Sequence, residues 1–195
     1  MTDSVYQRVL GRDLAGLKPE LRRYFSGHDG VGVGRGVFEV AGSRLRILRP
    51  ALAFLAWRRI LFPEYERDVP FEIANTPRPD GGLDAVRTFH LSGGARPLED
   101  TKRVIDGRLH DFLGARRGLE VRMELTTSDG LLQMRSERLW LHLGRLRIPL
   151  PPLATVTVDE SWSGGSQHVD VRLRSPLIGE WFRYAGSFSY QYQER

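Results

Sequence analysis

Arginine, histidine and aromatic side chains interrupt several otherwise apolar strand-like runs, and these are the residues of the chain best suited to chemistry. Arg87 stands with Phe89 and His90, Arg138 with Trp140 and His142, and Trp181 with Arg183 and Tyr184. A concave binding site is mostly apolar with a few oriented polar groups, and such a lining uses these residue types. With His110 on a neighbouring run and Trp57 on a helical one, the expected ligand-binding set is Trp57, Arg87, Phe89, His90, His110, Arg138, Trp140, His142 and Tyr184. An arginine would anchor an acidic end, while apolar faces hold the rest of the molecule. No catalytic residue, metal ligand or cofactor is expected. The five histidines, His28, His90, His110, His142 and His168, fall at no spacing that makes a recognised metal motif. The candidate serines lie in turns without a nucleophile elbow. Acid and base catalysis needs two carboxylates in one cleft, and no pair is placed there by spacing. His110 and Asp111 are adjacent, so on a strand they face opposite sides, whereas His110 can meet His142 or His90 across strands.

Those residues need strands to hold them, and residues 118–192 supply the pattern. Leu119, Val121, Met123 and Leu125 alternate with Glu120, Arg122, Glu124 and Thr126, as in a half-buried strand. Turn residues at 127–130 and 163–166 separate further alternating runs. The last run sets Phe182, Tyr184, Gly186, Phe188, Tyr190 and Tyr192 on one face. Such an arrangement reads as an antiparallel meander. Upstream, strands are expected over 69–76, 85–91 and 101–112. The glycine-rich stretch 27–36 lacks the ending of a nucleotide loop and reads as an edge strand that passes close to other backbone.

Asp3 or Ser4 caps a first short helix closed by Gly11, and residues 17–25 make a second with Pro19 in its first turn. These two are expected to plug one end of the sheet. The main helix is expected over 43–62, kinked or restarted at Pro50. Apolar residues cover most of its circumference while arginines flank it over 44–61, so it should be covered on both sides. The fold class is therefore α+β, mainly antiparallel β: a strongly curved sheet of eight or nine strands, or a partial barrel, around one long helix.

The 195 residues suit a single domain over 1–195, with 41% hydrophobic and 27% charged residues. Only Lys18 and Lys102 among the 29 basic residues are lysine, and the net charge of +5 is spread along the chain. Nucleic acid is not an expected partner, because Phe182, Tyr184 and Phe188 read as core-facing rather than as an exposed stacking face. With no cysteine, a disulfide scaffold and a thiolate nucleophile are excluded. No signal peptide is apparent and charges interrupt the most apolar window, so a cytoplasmic protein without a membrane span is expected.

Several short motifs occur in a specific order: Tyr6-Gln-Arg-Val-Leu-Gly11, Leu17-x-Pro19-x-Leu21-Arg22, Gly34-x-Gly36-x-Phe38, Arg87-x-Phe89, Leu109-x-Asp111-x-x-Gly114 and Pro176-Leu-Ile-Gly179 followed by Tyr184-x-Gly186. On these the chain resembles a bacterial family of unknown function, found alone or fused behind oxidoreductase domains similar to saccharopine dehydrogenase. It departs from the family pattern at Ala85, where tryptophan is usual, at Phe25, where histidine is frequent, and at Asp111, where glutamate is usual. The resemblance implies one domain and, through the fusions, an accessory role beside a redox enzyme. From the residues alone, the leading expectation is a non-enzymatic module for an apolar or amphipathic small molecule. The alternative partner is an anionic membrane surface or another protein, docked through the helix at 44–61.

Overall fold

The computed structural model describes residues 3–193 except Asp29 and Leu153. The chain opens with α1, Val5–Leu10, whose cap forms because Ser4 Oγ accepts from the Gln7 amide at 3.0 Å while Gln7 Oε1 accepts from the Ser4 amide at 2.9 Å. Gly11 ends it at φ 54°, and a 3-10 turn, Gly11–Gly16, leads to α2, Pro19–Phe25. Gln7 Oε1 also accepts from the Gly27 amide at 2.6 Å, which ties the two helices together. Leu21 and Phe25 are fully buried, each stabilising the fold by about 1.5–3 kcal/mol.

The remaining chain is mostly strand: β1 Val31–Gly42, β2 Tyr65–Glu66, β3 Val69–Pro77, β4 Leu83–Leu91, β5 Gly94–Ile105 and β6 Arg108–Leu113. Then come β7 Leu119–Ser128, β8 Leu131–Leu143, β9 Leu146–Leu150, β10 Thr155–Ser163, β11 Ser166–Ser175 and β12 Gly179–Gln193. Neighbours run β10-β11-β12-β1-β3-β4-β5-β6-β7-β8, and β10 pairs back with β8 from Thr157↔Arg135 to Glu160↔Leu132. This last ladder closes a barrel of ten antiparallel strands, so the expected open or partial barrel of eight or nine is corrected. Closure leaves no free edge among those ten. The strand expected over 101–112 is two strands, because Asp106 and Gly107 take positive φ in a tight turn between them.

The glycine-rich stretch is not an edge: β1 lies between β12 and β3. A Cβ on Gly36 would come within 2.0 Å of the Ser187 carbonyl oxygen, and one on Gly32 would collide with the Tyr190 ring. Glycine is required because neighbouring backbone and aromatic rings occupy the space a side chain would need.

The expected long helix is also corrected. Residues 46–57 form a 3-10 turn, Arg46–Leu48, and a nine-residue helix, α3, Arg49–Trp57, which begins where Pro50 tolerates the first turn. Arg59 at φ 59° turns the chain out of the helix before Pro63. Only Leu52 of α3 is buried. The helix is therefore not enclosed; it caps one end of the barrel, where the Arg58 carbonyl accepts from the Ala115 amide at 3.1 Å and that of Arg59 from the Glu99 amide at 2.9 Å. The core falls into two clusters: one beneath the cap around Phe38, Phe62, Phe89 and Phe182, and one where α1 and α2 pack on Leu109, Met123 and Leu132. Among the described residues no helix is long and apolar enough to cross a membrane.

Candidate functional site

Side chains alternate in and out along every strand, so closing the sheet turns one face of each into a barrel interior. On β4 the inward set includes Leu83, Arg87 and Phe89; on β5 it includes Leu98, Asp100 and Lys102; on β6, Leu109 and Asp111; on β10, Val156, Val158 and Glu160. All of these but Phe89 line a cavity of about 220 Å³ within the barrel. Its walls are mainly aromatic and aliphatic, including Phe71, Ile73, Val171 and Phe188. Four charged groups meet on one side. Register sets Lys102 opposite Asp111 and Ala85 opposite Asp100. Arg87 Nη1 and Lys102 Nζ both donate to the Asp100 carboxylate, and Lys102 Nζ lies 3.1 Å from Asp111 Oδ2. The Asp100 and Lys102 side chains are only 3% and 6% exposed. Among the described residues Asp111 Oδ1 has no hydrogen-bond partner.

Glu160 belongs to the same interior and accepts from Gln167 Nε2 on β11. Burial pushes the Glu160 carboxyl up to about 7 despite the Gln167 bond and the pull of Arg87 and Lys102. Burial and the charge of Asp100 push Asp111 up to about 6 against Lys102 and Arg87. For Asp100 burial acts in the same direction, but Arg87 and Lys102 outweigh it and hold the carboxyl at about 2. Two cations thus face one permanently ionised acid and two acids that titrate near neutrality. The phenols of Tyr6, Tyr24 and Tyr184 are raised chiefly by burial and remain neutral.

A second cavity of about 250 Å³ lies between α1, α2 and the β3–β4 turn. Tyr6, Tyr24, Asn75 and Leu83 line both cavities and form the partition between them. Asn75 Nδ2 donates to Tyr24 Oη at 3.2 Å and to Tyr190 Oη at 3.1 Å, holding that partition in place.

Of the nine residues expected from sequence, Arg87, Phe89 and Tyr184 face the interior. His110, Trp140 and His142 do come together, but on the outer face of β6, β7 and β8, around Glu120. His110 Nδ1 lies 2.6 Å from Glu120 Oε1 and His142 Nε2 lies 2.6 Å from Oε2; Arg147 of β9 donates to the same carboxylate at 2.6 and 2.9 Å while its guanidinium covers the Trp140 ring at 3.9 Å. Burial would raise Glu120, yet bonds from Arg147, His142 and His110 hold it at about 2. Both histidine nitrogens are taken up by one carboxylate, which makes this a tie between four strands rather than an extension of the cavity. His90, Arg138 and Trp57 are exposed and do not join the interior, because their strand parity or helix face points outward.

Asp100, Lys102 and Glu160 were not among the expected site residues. A signal was there: Glu160 continues the Val156, Val158 face at a spacing of two, and Lys102 is one of two lysines in the chain. Of the three positions where the resemblance fails, Asp111 belongs to the charged cluster and Ala85 pairs with Asp100 beside it, whereas Phe25 is buried in the helical plug.

Residues 17–188 match a family described as a domain of unknown function, DUF4166. The chain is 27% identical over 193 residues to the uncharacterized protein YndH of Bacillus subtilis (strain 168), covering 91% of this chain and 93% of that protein. No solved structure matches it.

Proposed function

The chain belongs to the DUF4166 family, and we propose that it is an intracellular binding module whose closed barrel takes up a small amphipathic molecule with an acidic end. The observation that carries this reading is an interior cavity with apolar walls and one charged side, in which Arg87 and Lys102 face Asp100 and Lys102 also pairs with Asp111, an acid that loses its charge below about 6. Buried charge is a poor way to stabilise a core, since apolar residues of similar volume do at least as well. Its presence therefore supports a ligand-directed role. The volume favours a short-chain or single-ring molecule: about 220 Å³ falls below the roughly 300–1,000 Å³ of drug-sized pockets. The acidic end would take the remaining guanidinium donors of Arg87 and the Lys102 ammonium, and it would be welcomed most when Asp111 and Glu160 carry protons.

Hexyl sulfate, whose charge does not change with pH, is a suitable probe in isothermal titration and native mass spectrometry. Saturable one-to-one binding is expected, tighter at about pH 5.5 than at about pH 8 because both raised acids are then protonated. Arg87→Met should weaken it about tenfold or more, Asp111→Asn should strengthen it at the higher pH, and Arg138→Met on the outer face should leave it unchanged. Absence of saturable binding to hexyl sulfate and to hexanol, or equal losses in the Arg87 and Arg138 variants, would sink the reading.

A further inference from the structure

The apolar side chains left in water are not spread over the barrel. Eleven large apolar residues are exposed among the described ones, and eight of them lie at the end capped by α3. Ile47, Phe54 and Trp57 project from the cap itself at 86%, 57% and 65% exposure. Leu143, Leu146 and Ile148 are on the β8–β9 hairpin, which reaches the cap because the His142 amide donates to the Gly118 carbonyl beside Arg58. Leu177, at 93%, and Ile178 form the β11–β12 tip; pairing of Arg183 with Gly42 places this tip at the end where the cap segment begins.

Charge follows the same distribution. The loops 43–63, 114–118 and 143–149 carry nine arginines between them and no acidic residue; Arg59, Arg117 and Arg147 pair with Glu99, Asp84 and Glu120 of neighbouring strands, and the other six are in no ion pair among the described residues. Arg46 and Arg49 flank the start of α3, and Arg116 lies over the Trp57 ring at 5.7 Å. We infer that this end of the barrel is a docking surface for an anionic lipid bilayer. Apolar groups clustered on three protruding tips suit insertion between lipid headgroups, and the six arginines outside ion pairs complement anionic phosphates. Arginine and tryptophan together are the side chains that settle at the water–lipid boundary. The inference stands apart from the cavity reading. The two meet in one respect: Leu55, Ile60 and Leu61 of the cap segment line the cavity, so docking would set the cavity's end against lipid.

Sedimentation of the full chain with vesicles tests it, using phosphatidylcholine alone and phosphatidylcholine mixed with phosphatidylglycerol at low and high salt. The expected result is binding to the mixed vesicles only, weakened by salt. Arg46→Ala with Arg49→Ala should weaken it roughly 30-fold, and Phe54→Ser with Trp57→Ser about tenfold. Both pairs are exposed, so their melting curves should match that of the unaltered chain. Binding that is absent, indifferent to phosphatidylglycerol, or unchanged by both pairs would overturn the proposal, the last pattern marking a protein-docking or nonspecific surface instead. Arg87→Met should leave vesicle binding intact. Loss of vesicle binding with hexyl sulfate binding preserved would therefore remove this proposal and leave the cavity reading standing.

Discussion

Lys102 Nζ sits 3.1 Å from Asp111 Oδ2 while also donating to Asp100, so a single ammonium inside the barrel serves two carboxylates on adjacent strands. Lys102→Met would leave Asp111 without a cation and Asp100 with Arg87 alone. The expected cost is about 3–5 kcal/mol at neutral pH, as for a buried pair that loses one partner. Lys102 pulls the Asp111 carboxyl down, so in the variant it titrates above its present value of about 6, and lowering the pH below neutral should recover part of the loss. Urea unfolding on either side of that pH checks it; a variant equally stable at both would contradict the arrangement.

Glu160 has the opposite effect on stability to that of an ordinary ion-paired acid. Its folded-state carboxyl titrates at about 7 against an ordinary 4.5, so the folded chain holds a proton that the unfolded chain releases. Stability from this group is fully present below about pH 4.5 and is lost as the pH rises toward 7. Glu160→Gln keeps an acceptor for Gln167 and removes the titration. It should gain about 1–3 kcal/mol at alkaline pH and flatten the profile across that window. Thermal melts over a pH series measure this, and a variant less stable than the parent above neutrality would refute it.

Glu120 lies on the other side of the balance. Held at about 2 against an ordinary 4.5, it contributes stability above its ordinary range that is lost as the pH falls toward 2. Glu120→Ala frees His110, His142 and Arg147 together. Since Arg147 and His142 are partly exposed and can turn to water, the expected cost is about 1–3 kcal/mol rather than the full value of a buried network. The acid limb of the stability profile should shrink, while hexyl sulfate binding stays unchanged because the cluster is outside the barrel.

Gly36→Ala tests the closeness of β1 and β12. The added methyl would meet the Ser187 carbonyl oxygen at 2.0 Å and Phe188 Cα at 2.6 Å, both backbone atoms that move only if the ladder does. A loss of about 3 kcal/mol or more is expected. Gly93→Ala, where a methyl meets nothing within 4 Å, is the control and should change stability little.

The alternation of apolar and polar residues was sufficient to define most strands and the antiparallel class, and the Ser4 cap and Pro19 marked the two N-terminal helices, because those patterns are local. It also separated His110 from Asp111 correctly, since neighbours on a strand face opposite ways. It did not show that Asp100, Lys102, Asp111 and Glu160 converge. Period-two spacing says which residues share a face, not which face becomes interior, and that was decided only when β8 paired with β10 and β12 with β1. The place of α3 was hidden for a related reason: an apolar segment looks the same whether it fills a core or covers an opening. Here strand side chains from opposite walls leave the barrel a cavity of only about 220 Å³, too small for a helix, which therefore sits at the end with Leu52 inside and Trp57 in water.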